Sequence, residues 1–325
     1  MVVVASLEGR DDATRVGEIE PPCASDTSRT VDEHLQPACR DRLGPYTQSV
    51  RAEVRRGESN DSYHTPDGYL NCSPAKTFAE SVRLYYARYV AKTLPPLSGD
   101  AVNHGSILHE WWEANFCDGF LATLAVPPES TLTTTGQIGK DAKQYCADNF
   151  PAGAKIVSPK EIGQLRRERD ALLANPAFVE LNERVVDREL SVRWEHDGRR
   201  LKCKYDALTD EFALDLKTTR EEDIIADFHD AVVRFKYHLQ DAWYQCGMAA
   251  MGMTPQPIRF IVISTAASHD CQVVTLPQQV IDAGRRLMDK TLADLRIRED
   301  LDWWLPETHG EVVELPFPAH ALRRL

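Results

Sequence analysis

The sequence predicts an α/β domain, a mixed central β-sheet flanked by α-helices. Three observations predict it. Apolar residues recur at helical spacing in segments between about 74 and 185, the period switches to alternation at 188, and a helix, two apolar strands and a closing helix follow. Residues 1–60 carry many Asp, Glu, Arg, Ser and Pro and no sustained apolar period, so they read as a disordered N-terminal segment. Residues 61–325 read as the folded domain, with a helical N-terminal part. Ser73-Pro74 opens a helix in which Phe78, Val82, Tyr85, Tyr86 and Val90 share one face, and Pro95-Pro96 ends it. A second helix runs through "HGSILHEWWEANF", and 119–155 is rich in loop residues. "SPKEIGQLRRERDALLANP" carries a capping box, with Ser158 as N-cap, Pro159 in the first turn and Glu161 reaching back. Asn175-Pro176 breaks that helix, and "AFVELNERVV" forms a short one.

"RELSVRWEHDGRRLKCKYDAL" reads as two strands about a His-Asp-Gly turn, and "FALDLKTT" as a third after a Thr-Asp-Glu turn. Glu221 to Gly252 is helical, with a break near Phe235. "IRFIVIS" is a buried strand, "CQVVTL" its neighbour, and "QQVIDAGRRLMDKTLADL" the closing helix.

Composition narrows the function classes. With 42% hydrophobic and 27% charged residues, the 325-residue chain has the make-up of a soluble globular protein. No apolar run approaches the roughly 18 residues of a membrane helix, and "MVVVAS" is too short for a signal-peptide core, so a cytoplasmic protein with no membrane partner is expected. The eight cysteines stand singly without a CxxC pair, which argues against zinc knuckles, disulfide frameworks and iron–sulfur clusters. A net charge of −12 offers no global attraction for nucleic acid. A nucleic-acid binder of this charge needs a local basic groove or metal ions.

The segment "KYDALTDEFALDLKTT" holds the chemistry. Side chains two apart on a strand share a face, so Asp215 and Lys217 point together while Leu214 and Leu216 point to the core. A turn at Asp210-Glu211 sets Asp206 directly across from Asp215, where Cβ atoms stand about 4.5–5.5 Å apart. Two carboxylates so placed repel unless they share a proton or a divalent cation, and Lys217 relieves only part of the repulsion. Hard oxygen ligands of this kind suit magnesium or manganese. The plainer alternative is an exposed hairpin with an incidental salt bridge. The flanking Phe212, Ala213, Leu214 and Leu216 favour a strand in the body of the sheet.

The pattern of Asp206, Asp215 and Lys217 resembles the PD-(D/E)xK nuclease superfamily, in its branch of RecB-type and RecE-like (exonuclease VIII) domains. Five pieces occur in order: "GSILH" (Gly105 to His109), "RELSVRW" with Glu189, "KYDAL", "LDLKTT" and "YHLQDAWY" (Tyr237 to Tyr244). The resemblance spans about 60–275. It departs at Tyr205, where a proline often precedes the first aspartate, and tyrosine suits a strand at least as well.

The resemblance implies a restriction-endonuclease-like core and a metal-dependent DNA exonuclease that hydrolyses linear duplex DNA from an end, for recombination. It implies Asp206, Asp215 and Lys217 as catalytic residues, with His109, Asp206, Asp215 and the Leu216 carbonyl holding Mg2+ or Mn2+. Gln240, Tyr244 and Tyr237 would contact DNA. A ring-shaped homo-oligomer and a single-strand-annealing partner are further expectations from the same likeness. Plainer roles stand beside these. Lys217 could be a structural ion pair, His109 a packed helix residue, and Tyr237 and Tyr244 an aromatic core stripe. Glu189 could brace the site, join the metal shell or make surface ion pairs. Arg188, Arg193, Arg199, Arg200, Lys202 and Lys204 could line a DNA groove or merely be solvated. The competing functions are an endonuclease or single-strand nuclease on the same core, and a non-catalytic DNA-binding or protein-interaction module.

Overall fold

The computed structural model describes residues 52–95, 100–305, 310–312 and 314. The predicted disordered segment therefore lies outside the described residues, positions 52–60 apart. The elements are β1 (Glu53–Arg55), α1 (Asn60–His64), β2 (Leu70–Asn71), α2 (Cys72–Glu80), α3 (Val82–Tyr85), α4 (Asp100–Glu113), α5 (Asp118–Leu121), α6 (Lys140–Asn149), α7 (Pro159–Ala174), α8 (Pro176–Glu183), β3 (Asp187–His196), β4 (Arg199–Leu208), β5 (Ala213–Thr219), α9 (Ile224–Arg234), α10 (Tyr237–Ala250), β6 (Arg259–Ser264), β7 (Cys271–Val274) and α11 (Gln278–Leu301).

These strands form one mixed seven-stranded sheet in the order β1-β3-β4-β5-β6-β7, with β2 added on β4. The predicted meander is present: β3 and β4 pair antiparallel from Asp187↔Leu208 to His196↔Arg199, around the turn at Asp197-Gly198. Both turn residues have positive φ, 50° and 73°, which glycine supplies at the second position without strain. β5 runs antiparallel to β4 but parallel to β6, so α9 and α10 form the crossover.

Two apolar layers cover the sheet. On one face Val192, Trp194, Tyr205 and Phe260 pack with Leu239, Trp243 and Met288 of α10 and α11. On the other Leu214, Leu216 and Ile261 pack with Leu108, Trp111 and Trp112 of α4, Leu165 and Leu172 of α7 and Phe178 of α8. The predicted facing of Leu214 and Leu216 is thus what the sheet adopts.

Several elements differ from the sequence expectation. Glu53–Arg55 pairs with Ser191–Arg193, although its charged residues read as tail. It is a short, charged edge strand, the kind that resists further pairing. The helix from Ser73 starts at Cys72 under an Asn71 cap and breaks at Ser81, whose backbone is extended and whose hydroxyl accepts from Leu84 N–H. The loop-rich stretch 119–155 contains α6. Ser158 caps α7 as expected by accepting the Glu161 N–H at 3.2 Å, but the Glu161 carboxylate turns to His104 instead of back to the cap.

That His104 contact ties α4 to α7. Its Nε2 lies 2.8 Å from Glu168 Oε2 and its Nδ1 3.2 Å from Glu161 Oε1. Burial opposes a charged ring, yet the two carboxylates outweigh it and lift the pKa of His104 to about 9. A folded pKa above the unfolded value of about 6.5 adds stability that is complete below that value and is lost as pH rises through the folded pKa. The full shift would correspond to about 3 kcal/mol, and solvent screening reduces the expected contribution to about 1–2 kcal/mol. Wild type should therefore lose more thermal stability between pH 6.5 and 10 than His104→Asn, measured by melting each protein across that range. Parallel curves for the two proteins would refute the ion cluster as a stabilising element.

Candidate active site

The ladder between β4 and β5 is short, pairing Ala207 with Leu214 and Leu208 with Ala213 and ending there. One step further the same register sets Asp206 opposite Asp215, as the alternation predicts. At that step the strands have parted, and β2 occupies the other end of the same β4 edge at Leu201 and Lys202. Side chains supply the hydrogen bonds that the strands no longer make to each other. Asp206 Oδ2 accepts the Leu216 N–H at 3.0 Å, Tyr244 Oη donates to the Lys204 carbonyl at 2.9 Å, and Trp243 Nε1 donates to the Lys202 carbonyl at 3.0 Å. Backbone groups in a sheet interior need such partners, so the opening is built into the fold.

Two acids face this opening in different surroundings. His109 on α4 approaches from one side, its Nδ1 3.2 Å from Asp206 Oδ2. Burial opposes ionisation of Asp206, but His109, Lys217 and the Leu216 N–H outweigh it and hold the carboxyl below its ordinary pKa. For His109 burial works against the charged ring, and Asp206 outweighs it to raise the pKa. Asp215, 1% exposed, is pushed the other way, up, by burial and by the Asp206 charge against the pull of Lys217. Lys217 forms an ion pair with Asp215 Oδ2, and that pairing more than offsets its burial and raises its pKa. Asp215 Oδ2 has no directed hydrogen bond, whereas Oδ1 accepts from Gln240 Nε2.

Glu189 completes a row. It lies between Arg188↔Ala207 and Leu190↔Tyr205 in the β3–β4 register, which sets it across from Asp206. Its φ of 50° is left-handed, a strained conformation for a residue with a side chain, and Lys204 Nζ sits 2.5 Å from its carboxylate. Burial, joined by the Asp206 charge, raises its pKa.

The family profile described as "PDDEXK-like domain of unknown function (DUF3799)" matches residues 71–299. The chain belongs to this family. Among solved structures it is similar to the crystal structure named "Putative exonuclease" from Eubacterium rectale, at a TM-score of 0.52 and 14% identity, covering 81% of this chain and 97% of that one. That likeness concerns the fold. No curated protein sequence matches significantly. Among the described residues no helix is long and apolar enough to cross a membrane.

In this PDDEXK-like domain Asp206, Asp215, Lys217 and His109 come together. Leu216 joins them through its N–H, while its side chain is fully buried on the opposite face. The three residues expected to contact DNA have partners inside the fold. Gln240, 5% exposed, bridges Asp215 and Lys76. Tyr244, 8% exposed, directs its hydroxyl to the Lys204 carbonyl. Tyr237 stacks on Phe228 at 5.5 Å, and the Lys76 and Lys217 ammonium groups lie 4.9 and 5.2 Å from its ring centroid. Gly105 is not required for close helix approach, since a Cβ there would meet Thr218 Oγ1 at an ordinary 3.7 Å.

The expected basic groove on β3 and β4 is largely paired internally. Arg193 binds Glu58 and Asp67, Lys202 binds Asp67 and the Tyr63 carbonyl, and Arg199 binds Glu299. A buried cation needs a carboxylate, and these have one. Tyr205, where the resemblance led to the expectation of a proline, is fully buried and donates to the Tyr244 carbonyl at 2.7 Å. Sequence reasoning missed Lys76 altogether. Its only local signal was a lysine on an otherwise apolar helix face beside Ala75 and Phe78.

Proposed function

We propose that this chain is a metal-dependent deoxyribonuclease that degrades linear duplex DNA from an end, in the manner of exonuclease VIII. The observation that carries the proposal is the parting of β4 and β5 at Asp206 and Asp215, with Lys217 against the second carboxylate. Family membership and the name of the similar structure support the same reading.

Among the described residues no three His, Cys, Asp or Glu side chains stand as a ready coordination cluster, and His109 Nδ1 lies 3.2 Å from Asp206 Oδ2. The donor chemistry nevertheless fits a hard divalent cation. It offers two carboxylates, one with a buried oxygen lacking a directed hydrogen bond, and an imidazole. Asp206, Asp215, His109 and the Leu216 carbonyl would hold the ion, magnesium or manganese. When bound, the ion supplies Lewis-acid stabilisation of charge developing on a phosphodiester. The chain's own groups do the rest. Gln240 fixes the orientation of Asp215, and Lys217 stands where it can orient a water and offset negative charge on the phosphate. The proposed products, single-stranded tails, are substrates for an annealing protein, and a homo-oligomeric ring around DNA would keep the enzyme on its strand.

Digestion of duplex labelled at either end, with magnesium, tests the proposal. Linear DNA should shorten progressively from its ends while a covalently closed circle of the same sequence survives. Cleavage of the circle would favour an endonuclease on this core. Intact linear DNA with magnesium or manganese, under conditions where the protein binds it, would favour a non-catalytic module.

A further inference from the structure

Lys76 projects from α2, far in sequence from the carboxylate hairpin, yet ends beside it. Its Nζ donates to Gln240 Oε1 at 2.6 Å and lies 4.9 Å from the Tyr237 ring centroid. Lys217 shares that ring at 5.2 Å, so two ammonium groups converge on one aromatic next to Asp215. An ammonium carries three donors. Among the described residues Lys76 has one hydrogen-bond acceptor, a neutral amide, and no carboxylate partner. Arg193 and Lys202, fully buried cations of the neighbouring strands, each have at least one carboxylate. Lys76 is half-buried, and a cation drawn partly away from water without an anion is unfavourable, so a structural lysine at such a place is normally paired. The cost shows in its acidity: burial lowers the pKa of Lys76 to about 8.

We infer that Lys76 is a substrate-contacting residue, its free donors placed to receive a phosphate oxygen of the DNA strand bound at the Asp206–Asp215 opening. The inference rests on the nuclease reading above and adds a phosphate-binding group to it. Gln240 then has a double part. Its Nε2 holds Asp215 and its Oε1 holds Lys76, so one amide sets both the acid and the phosphate-binding cation. Tyr237 gives the two lysines a shared face that favours cations and offers no acceptor to compete with phosphate. Arginine could keep the charge at this position, whereas methionine keeps only the stem.

The test uses the full chain and its variants Lys76→Met and Lys76→Arg, with a linear duplex as the probe. Binding is followed by fluorescence anisotropy across a salt series, and cleavage by steady-state kinetics. Met replaces a half-buried, unpaired cation with an apolar group of similar length, so it should melt no lower than wild type. It should lower kcat/KM about 10–100-fold and flatten the log K against log salt slope by about 0.9, the value for one phosphate no longer neutralised. Lys76→Arg should recover most of both. A purely structural lysine would show the reverse, a lowered melting temperature with an unchanged salt slope. Wild type that cleaves DNA, with Lys76→Met matching it in kcat/KM and salt slope, overturns this inference alone. Wild type that neither binds nor cleaves DNA overturns both this inference and the nuclease reading.

Discussion

Asp215→Asn should lose metal-dependent DNA cleavage by about 10^3-fold or more, as expected when a ligand of the catalytic ion is removed, while remaining folded and still binding DNA. The amide keeps an oxygen for Gln240 Nε2, so the orientation of α10 toward β5 survives. Its effect on stability is the balance of two opposed changes. Losing the buried partner of Lys217 would by itself cost about 3–5 kcal/mol. Against this, Asp215 is a carboxylate whose ionisation is opposed by burial and by Asp206, so removing its charge relieves repulsion. Asp206 remains and attracts Lys217 as well. The net loss should stay below about 2 kcal/mol, read from denaturant or thermal unfolding. Removing one negative charge from the opening should also make DNA binding without added metal equal to or tighter than wild type. Cleavage within about tenfold of wild type would exclude Asp215 from the chemistry.

The hairpin was legible because two local rules fix it. Alternation assigns the faces of Leu214, Asp215, Leu216 and Lys217, and the turn anchors the register. Thr209 Oγ1 accepts the Glu211 and Phe212 N–H groups at 3.1 and 2.9 Å, which holds that turn. Where the ladder stops was not legible. The far end of the same β4 edge is taken by β2, a pairing across about 130 residues of chain that no local pattern announces. Gln240 and Tyr244 were readable as one helix face, since i and i+4 coincide. What that face meets is set by tertiary packing, and it meets Asp215 and the bare β4 edge rather than solvent. Arg193 and Lys202 read equally as groove-lining or solvated charges because their partners, Glu58 and Asp67, lie outside β3 and β4. Glu58 itself fell in the segment read as tail. Its carboxyl is held down at about 2 chiefly by Arg193 and Ser191 against the opposing effect of burial.

Gly284→Ala should be among the most destabilising single substitutions in the chain, although glycine to alanine inside a helix ordinarily stabilises by about 0.5–1 kcal/mol. The sign reverses because of what a Cβ would meet. At Gly284 it would sit 2.0 Å from the His238 carbonyl oxygen and 2.5 Å from its carbon, so the backbones of α10 and α11 touch there. Backbone cannot swing aside as a side chain can. The helices must separate, opening the packed layer that contains Leu239, Trp243 and Met288. The expected loss is about 3 kcal/mol or more, a melting shift of roughly 6–12 °C. His238 is two residues from Gln240, so any Gly284→Ala protein that still folds should also cleave DNA more slowly, through a displaced Asp215 and Lys76. Gly105→Ala is the control, because its Cβ meets only Thr218 Oγ1 at 3.7 Å and should be tolerated. A Gly284→Ala protein that melts within about 1 °C of wild type would mean that α10 and α11 can move apart at little cost, and that Gln240 is held in place by something other than the helix behind it.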